Sequence, residues 1–280
     1  MNKEVDIQSI FTDYMLEILI SAIVLFLSIS LILFVLTLAK RLMKIRKGTL
    51  KARYQKIIYR AIFNYLFSQK EINPEKTNIF NFDYSHNYLF HKVAIKAIVG
   101  LHHSYSGEYK EKLESFYVKS KFVNYSLRKL HSKKWYHKIE AIRDLSTLNY
   151  QPAFEKIKLC LGHKNKLVQS EAIIGILKLR GINELIEQIS SKLYLNDWIQ
   201  SNILFTIKSN RINDTGNLGK LLESENTSVQ LLGVRLINHY NNADYLDKLT
   251  TLEAKTTDAK LKTEIGKTKD SINQYYNDSL

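Results

Sequence analysis

The sequence predicts an all-α protein, an N-terminal transmembrane helix followed by an α-α superhelix, and three observations carry that prediction. An uncharged apolar run fills 18–39, apolar residues recur at helical spacing through the rest, and a repeat with a period near 31 appears beyond position 135. Glycine and proline are scarce, 10 and 2 of 280 residues, which excludes collagen-like and low-complexity chains and disfavours folds built on many tight turns.

A short extracytoplasmic N-terminus is expected over 1–17, followed by the span itself. Ile18 to Ala39 is 22 residues without a charge, and at 1.5 Å per helical residue it covers about 33 Å, enough for a hydrocarbon core of about 30 Å. Sixteen of those residues are Leu, Ile, Phe or Val. On the insertion scale they sum to roughly −5 to −10 kcal/mol, more than Ser21, Ser28, Ser30 and Thr37 cancel. Thr37-Leu38-Ala39 has the small-x-small form of a cleavage site. The leader, however, sets Lys3 against Glu4, Asp6, Asp13 and Glu17, unlike a signal peptide with its basic flank and shorter apolar run.

Charge along the chain gives the orientation. The net value of +14 is distributed as −3 over 1–39, +9 over 40–60, +7 over 61–138 and +1 over 139–280. Lys40, Arg41, Lys44, Arg46, Lys47, Lys51 and Arg53 follow the span directly. By the positive-inside rule they place the chain N-out, with its C-terminal part in the cytoplasm behind the inner membrane. The same cluster is suited to anionic lipid headgroups.

A basic juxtamembrane helix is expected over 40–69, closed by Asn73-Pro74, and then a loop of about 20 residues. The segment 70–134 reads as further helices, Tyr88 to Leu101 and Glu108 to Phe122 among them, with a break at Ser106-Gly107.

Repetition begins after that. Ala141, Ala172, Ile203 and Gly233 occupy one position in four similar segments, spaced 31, 31 and 30. Second helices follow with Phe154, Ile186, Leu218 and Leu246 at their heads, spaced 32, 32 and 28. Two helices per unit at such a period are a solenoid pattern, because one short pair cannot bury its apolar face until neighbours stack on it. The tail 253–280 is expected to cap the stack through Leu261 and Ile265 and to fray at its end.

Val168-Gln169-Ser170-Glu171-Ala172, with Ile199-Gln200 and Val229-Gln230 at the equivalent places, resembles the short variety of HEAT-like repeats. The resemblance spans 135–252 and lacks the first-helix proline and Asp/Arg ladder of longer HEAT units. Leu101-His102-His103 through Gly107-Glu108, with Lys129 to Trp135, is also similar to single-span bacterial HEAT-repeat proteins that accompany membrane glycosyltransferases. What the resemblance implies is an adaptor with a protein partner, such as a membrane enzyme.

No catalytic residue, cofactor or metal site is expected. Gly266-Lys267-Thr268 imitates the end of a phosphate-binding loop, but Leu261 stands where its first glycine must be. Elbow, zincin and dinucleotide motifs have no counterpart in the sequence. His86, His91, His102 and His103 lack the i, i+3 or i, i+4 spacing of paired ligands, and read as partly exposed capping or loop residues. The single cysteine, Cys160, reads as packed core. Trp135 and Trp198 precede corresponding helices and read as packing staples.

A nucleic-acid interface is the competing binding role and is disfavoured, since the repeats are nearly neutral. The candidate partner surface is instead the column Lys156, Gln188, Lys220 and Lys248, one position in successive second helices.

Overall fold

The computed structural model describes residues 3–67, 87–189, 193–214 and 216–278, with side chains from residue 15 onward. Among the described residues every regular element is helical. The expected loop and His86 lie outside them.

One helix, α1 (Lys3–Phe67), runs from the N-terminal segment through the apolar run and the basic cluster into the body. The sequence places a boundary at 39/40, where hydropathy changes; the backbone has none. Lys and Arg are good helix formers, no proline intervenes, and Gly48 sits in open space. The apolar run is wholly unburied and long enough to cross a membrane. Ser28 and Thr37 inside it donate their hydroxyls to Val24 and Leu33 carbonyls at 2.7 Å, so their polar atoms are satisfied within the helix.

The last turns of α1 belong to the core. Tyr54, Ile58, Ala61, Ile62 and Leu66 are buried against α2 (Tyr88–Ser104) and α3 (Glu108–Lys119). Tyr54 meets Phe90 edge-on at 5.3 Å and Tyr65 meets Phe116 at 5.2 Å, so rings supply much of this junction. The helix expected over 108–122 is split: Lys121, left-handed at φ +59°, separates α3 from α4 (Phe122–Leu130).

Beyond α4 the elements alternate between longer and shorter helices. The longer ones are α5 (Trp135–Thr147), α7 (Lys166–Gln188), α8 (Asp197–Asn210), α10 (Thr227–Tyr240) and α12 (Ala259–Asp278). Each packs on the next in that order. The intervening pieces are α6 (Phe154–Lys158) between 3-10 turns, the part of α7 beyond its break at Gly181, α9 (Gly219–Leu222) and α11 (Leu246–Lys255). The second helices are thus shorter than their sequence pattern suggests, four residues in α9.

The period has a backbone counterpart. Asn165, Asn196 and Asn226 cap α7, α8 and α10 by accepting from amides of the first turn at 2.9, 2.9 and 3.0 Å. Four residues after each cap a glutamine turns back to the preceding loop: Gln169 donates to the His163 carbonyl at 2.7 Å, Gln200 to Leu195 at 2.8 Å and Gln230 to Ser224 at 2.7 Å. The units end alike as well. Asn149, Gly181, Arg211 and Asn241 are left-handed, at φ +48°, +80°, +51° and +50°, and stop the long helices. Ala141, Ala172, Ile203 and Gly233 are all buried, as their shared position demands.

The long helices share one direction, which is also that of α1. Tyr54 touches Asn87 and Phe90 at the start of α2, while Phe67 touches Tyr109 just past its end. Lys92 and Glu140 join the early turns of α2 and α5; Arg143 and Glu171, then Lys178 and Thr147, run in step along α5 and α7. Gln200 reaches the Ser228 carbonyl at 3.0 Å and Tyr240 reaches Ile212 at 2.7 Å, keeping α8 and α10 parallel.

The tail forms a helix, and its last two residues lie outside the described ones. α12 continues to Asp278, with Leu261, Ile265 and Ile272 buried against α10 and α11.

Candidate functional site

Lys40, Arg41, Lys44, Arg46, Lys47, Lys51 and Arg53 all lie exposed on α1 between the apolar run and the buried turns. Helical spacing sorts them. Lys40, Lys44, Lys47 and Lys51 stand at i, i+4, i+7 and i+11, on the face that continues into buried Ile58 and Ile62. Arg46 and Arg53 fall on the opposite face with Arg60. The cluster therefore sorts into a lysine stripe on the side of the body and Arg46 and Arg53 behind, with Arg41 on the flank between them.

In the proposed column, Lys156 and Lys220 are exposed. Gln188 is half-buried and donates to Glu184 at 2.8 Å. Lys248 is exposed, pairs with Glu223 at 2.9 Å, and lies close over Gly219, where a methyl group would come within 2.8 Å of its ammonium. Lys156 and Lys220 are thus the members with the freest heads.

A cleft of about 1010 Å³ opens where the C-terminal ends of α2, α5 and α8 converge with the first part of α7, which ends at Gly181. His102 is buried there, contrary to its reading as a loop residue, because its ring nitrogen Nε2 sits 2.9 Å from Glu114 Oε1 across the Gly107 turn. Glu114 Oε2 accepts from Asn149 at 3.3 Å. Lys178 donates to Thr147 Oγ1 at 3.1 Å, and burial lowers its pKa. Burial and the nearby Lys178 also lower that of His103.

Convergent titratable groups invite an enzymatic reading of this cleft. Its walls mix acceptors with donors: helix C-termini present carbonyl oxygens, while Lys110, Lys178 and Arg211 line the same space. The cations complement the negative ends of four helices.

A second polar cluster lies between α4 and α5. Lys129 is buried, 2.8 Å from Glu140 and 3.4 Å from Asp144. Burial pushes the Asp144 carboxyl up to about 6, outweighing the attraction of Lys129. Glu140 is also penalised by burial, but Lys129 and Lys92 hold it below the usual carboxylate range. This triad ties two helices together, and Lys129 also lines a cleft of about 420 Å³ with Tyr88, His91 and Tyr125, in which Ser132 Oγ lies 3.3 Å from His137 Nδ1.

Cys160 is buried, its thiol 3.5 Å from the Lys156 carbonyl and raised in pKa by burial. Gly266-Lys267-Thr268 lies within α12 with Thr268 buried, where no phosphate loop can form. Among the described residues no group of three His, Cys, Asp or Glu side chains is placed to hold a metal.

Trp135 and Trp198, read as staples, are exposed instead. The Asn caps and turned-back glutamines also escaped sequence reasoning, although they recur with the same period as the buried positions.

Comparison of the chain with protein-family models, with curated proteins and with solved structures returns no significant match.

Proposed function

We propose that the protein is a membrane-anchored scaffold. In this reading α1 crosses the inner membrane N-out, and the cytoplasmic body is a HEAT-like solenoid that holds a protein partner close to the bilayer. The observation that carries it is the continuity of α1. One helix is unburied and apolar over 18–39 and sets one face, Tyr54, Ile58, Ala61, Ile62 and Leu66, in the body's core, so whatever fixes the first part fixes the second. Support for the solenoid comes from repetition of cap, glutamine and left-handed stop along parallel helices packed in chain order.

Confinement to a surface makes a modest affinity sufficient, which is what anchoring offers an adaptor. A partner that is itself membrane-bound, such as a glycosyltransferase, fits best. A reporter fused after Leu280 tests the topology: it is active in the cytoplasm, and periplasmic activity refutes the orientation. Photo-crosslinkers at Lys156 and Lys220 test the partner. A discrete adduct with a membrane protein is expected from both. An adduct with nucleic acid, lost steeply between low and moderate salt, would favour the competing role.

A further inference from the structure

Because the long helices run parallel to α1, their N-terminal ends form one edge of the body, the edge turned toward the apolar run. That edge is unusual in composition. At one register position in the first turns of α5, α7 and α8 stand Tyr136, Leu167 and Trp198, one repeat period apart and 42%, 48% and 58% exposed. Trp135 adjoins them at 43%. Exposed Lys133 and Lys134 flank the first of these, and Lys164 and Lys166 the second. In the next unit the position is Ser228, buried, and the loop before it carries Glu223 and Glu225. The basic and apolar half of the edge is thus the half nearer α1.

Large side chains exposed three times over at one repeat position are not scattered surface residues, and rings with lysines beside them are what a membrane interface selects. We infer that this edge is a second membrane contact, lying against the anionic headgroups of the bilayer that holds α1. The inference rests on the anchor reading above.

The geometry allows it. The edge begins level with Tyr54, fifteen positions past Ala39, about 22 Å along the helix. The headgroup layer covers about 5–7 Å of that distance. Leu167 lies about three helix spacings from α1, some 25–30 Å, so a rise of about 15 Å needs a tilt of about 30°, within the usual range. The direction of tilt is set as well. Lys40, Lys44, Lys47 and Lys51 occupy the body-side face of α1, and leaning toward the body brings that stripe and the edge to the headgroups together.

The chain's two tryptophans both sit on this edge, so native fluorescence reports the contact. The full chain is placed in nanodiscs of phosphatidylcholine, alone or with about a third phosphatidylglycerol, carrying a headgroup-attached spin-label quencher. Emission should be quenched at least about twofold more in the anionic discs. Reversing Lys133, Lys134, Lys164 and Lys166 to Glu should abolish the difference. Tyr136→Ser with Leu167→Ser should weaken it while circular dichroism stays native. Unquenched emission from chain retained by the anionic discs overturns the contact and leaves the anchor standing. Loss of the chain from vesicles on alkaline washing overturns the anchor, and this contact with it.

Discussion

Replacing Gln200 by leucine tests whether the turned-back glutamines hold the units in register. Gln200 is buried, and its amide donates to the Leu195 carbonyl at 2.8 Å and the Ser228 carbonyl at 3.0 Å, joining its own loop to the next unit. Its oxygen accepts from Arg235 at 2.9 Å. Leucine fills nearly the same space and strands the Leu195 carbonyl at about 1–3 kcal/mol, while the Ser228 carbonyl keeps its bond within α10 and Arg235 loses a charge-assisted bond. Offset by the apolar gain, the net cost is about 2–4 kcal/mol, or about 5–10 °C in Tm for a body of this size. Gln169 makes a single half-buried bond to its own loop, so Gln169→Leu should cost about 1 kcal/mol. Thermal unfolding of the full chain in mild detergent, followed by circular dichroism, reads both. A Gln200→Leu shift no larger than that of Gln169→Leu would refute the reasoning, since the bond between units would then contribute nothing.

Glycine replacements should split by sign. Gly100→Ala and Gly266→Ala, inside helices and facing open space, should each stabilise by about 0.5–1 kcal/mol. Gly233→Ala brings a methyl group within 2.9 Å of Leu221 Cβ and should destabilise by about 1–3 kcal/mol in the same assay. Asp144→Asn should gain on the wild type as pH rises. The folded carboxyl titrates near 6, above its unfolded value, so its contribution to stability is full below about 4 and lost through about 6, and parallel Tm profiles from pH 4 to 7 would contradict this. Two alanines inserted at Gly48 turn the body by about 200° about α1, whereas seven return it to within about 20°. Crosslinking at Lys220 should fall about fivefold in the first and less in the second, and equal yields would mean that α1 supplies location alone.

Much of the fold is legible in the residues because burial constrains them directly. The positions of Ala141, Ala172, Ile203 and Gly233 admit only small or aliphatic side chains, so the period survives where everything around it varies. The second helices are less legible: Leu218 and Leu221 have helical spacing, but a four-residue turn satisfies it as well as a full helix. The helix runs on past the apolar run because a change in polarity is not a change in backbone conformation. His102 was misread because its partner, Glu114, lies across a turn that a one-dimensional pattern cannot fold. For the tryptophans the difficulty is chemical, since a ring at a helix start can pack inward or stand outward and the same letter serves both. Their register with Tyr136 and Leu167 decides between these only when exposure is known.

The electrostatics of the body carry one more step. Parallel long helices add their dipoles, leaving partial positive charge along the edge turned toward the apolar run. Acids are the residues that stabilise such ends, yet the first turns of α2, α5 and α7 contain none. Lysines stand there instead, at Lys133, Lys134, Lys164 and Lys166. Each works against the local field by about 0.3–1 kcal/mol in the isolated body. α8, farther from α1, follows the ordinary rule, with Asp197 in its first turn paired to Lys260 and Arg235. The first turn of α12 also lacks acids and carries Lys260 and Lys262, but there Lys260 pairs with Asp197 at 2.8 Å and Asp258 accepts from the Leu261 amide, so the uncompensated lysines are those of α5 and α7. An anionic surface reverses the sign of their effect, because the same helix ends and lysines that repel one another in solution are both attracted to phosphate. A body that functioned away from a membrane would lose nothing by exchanging those lysines for acids.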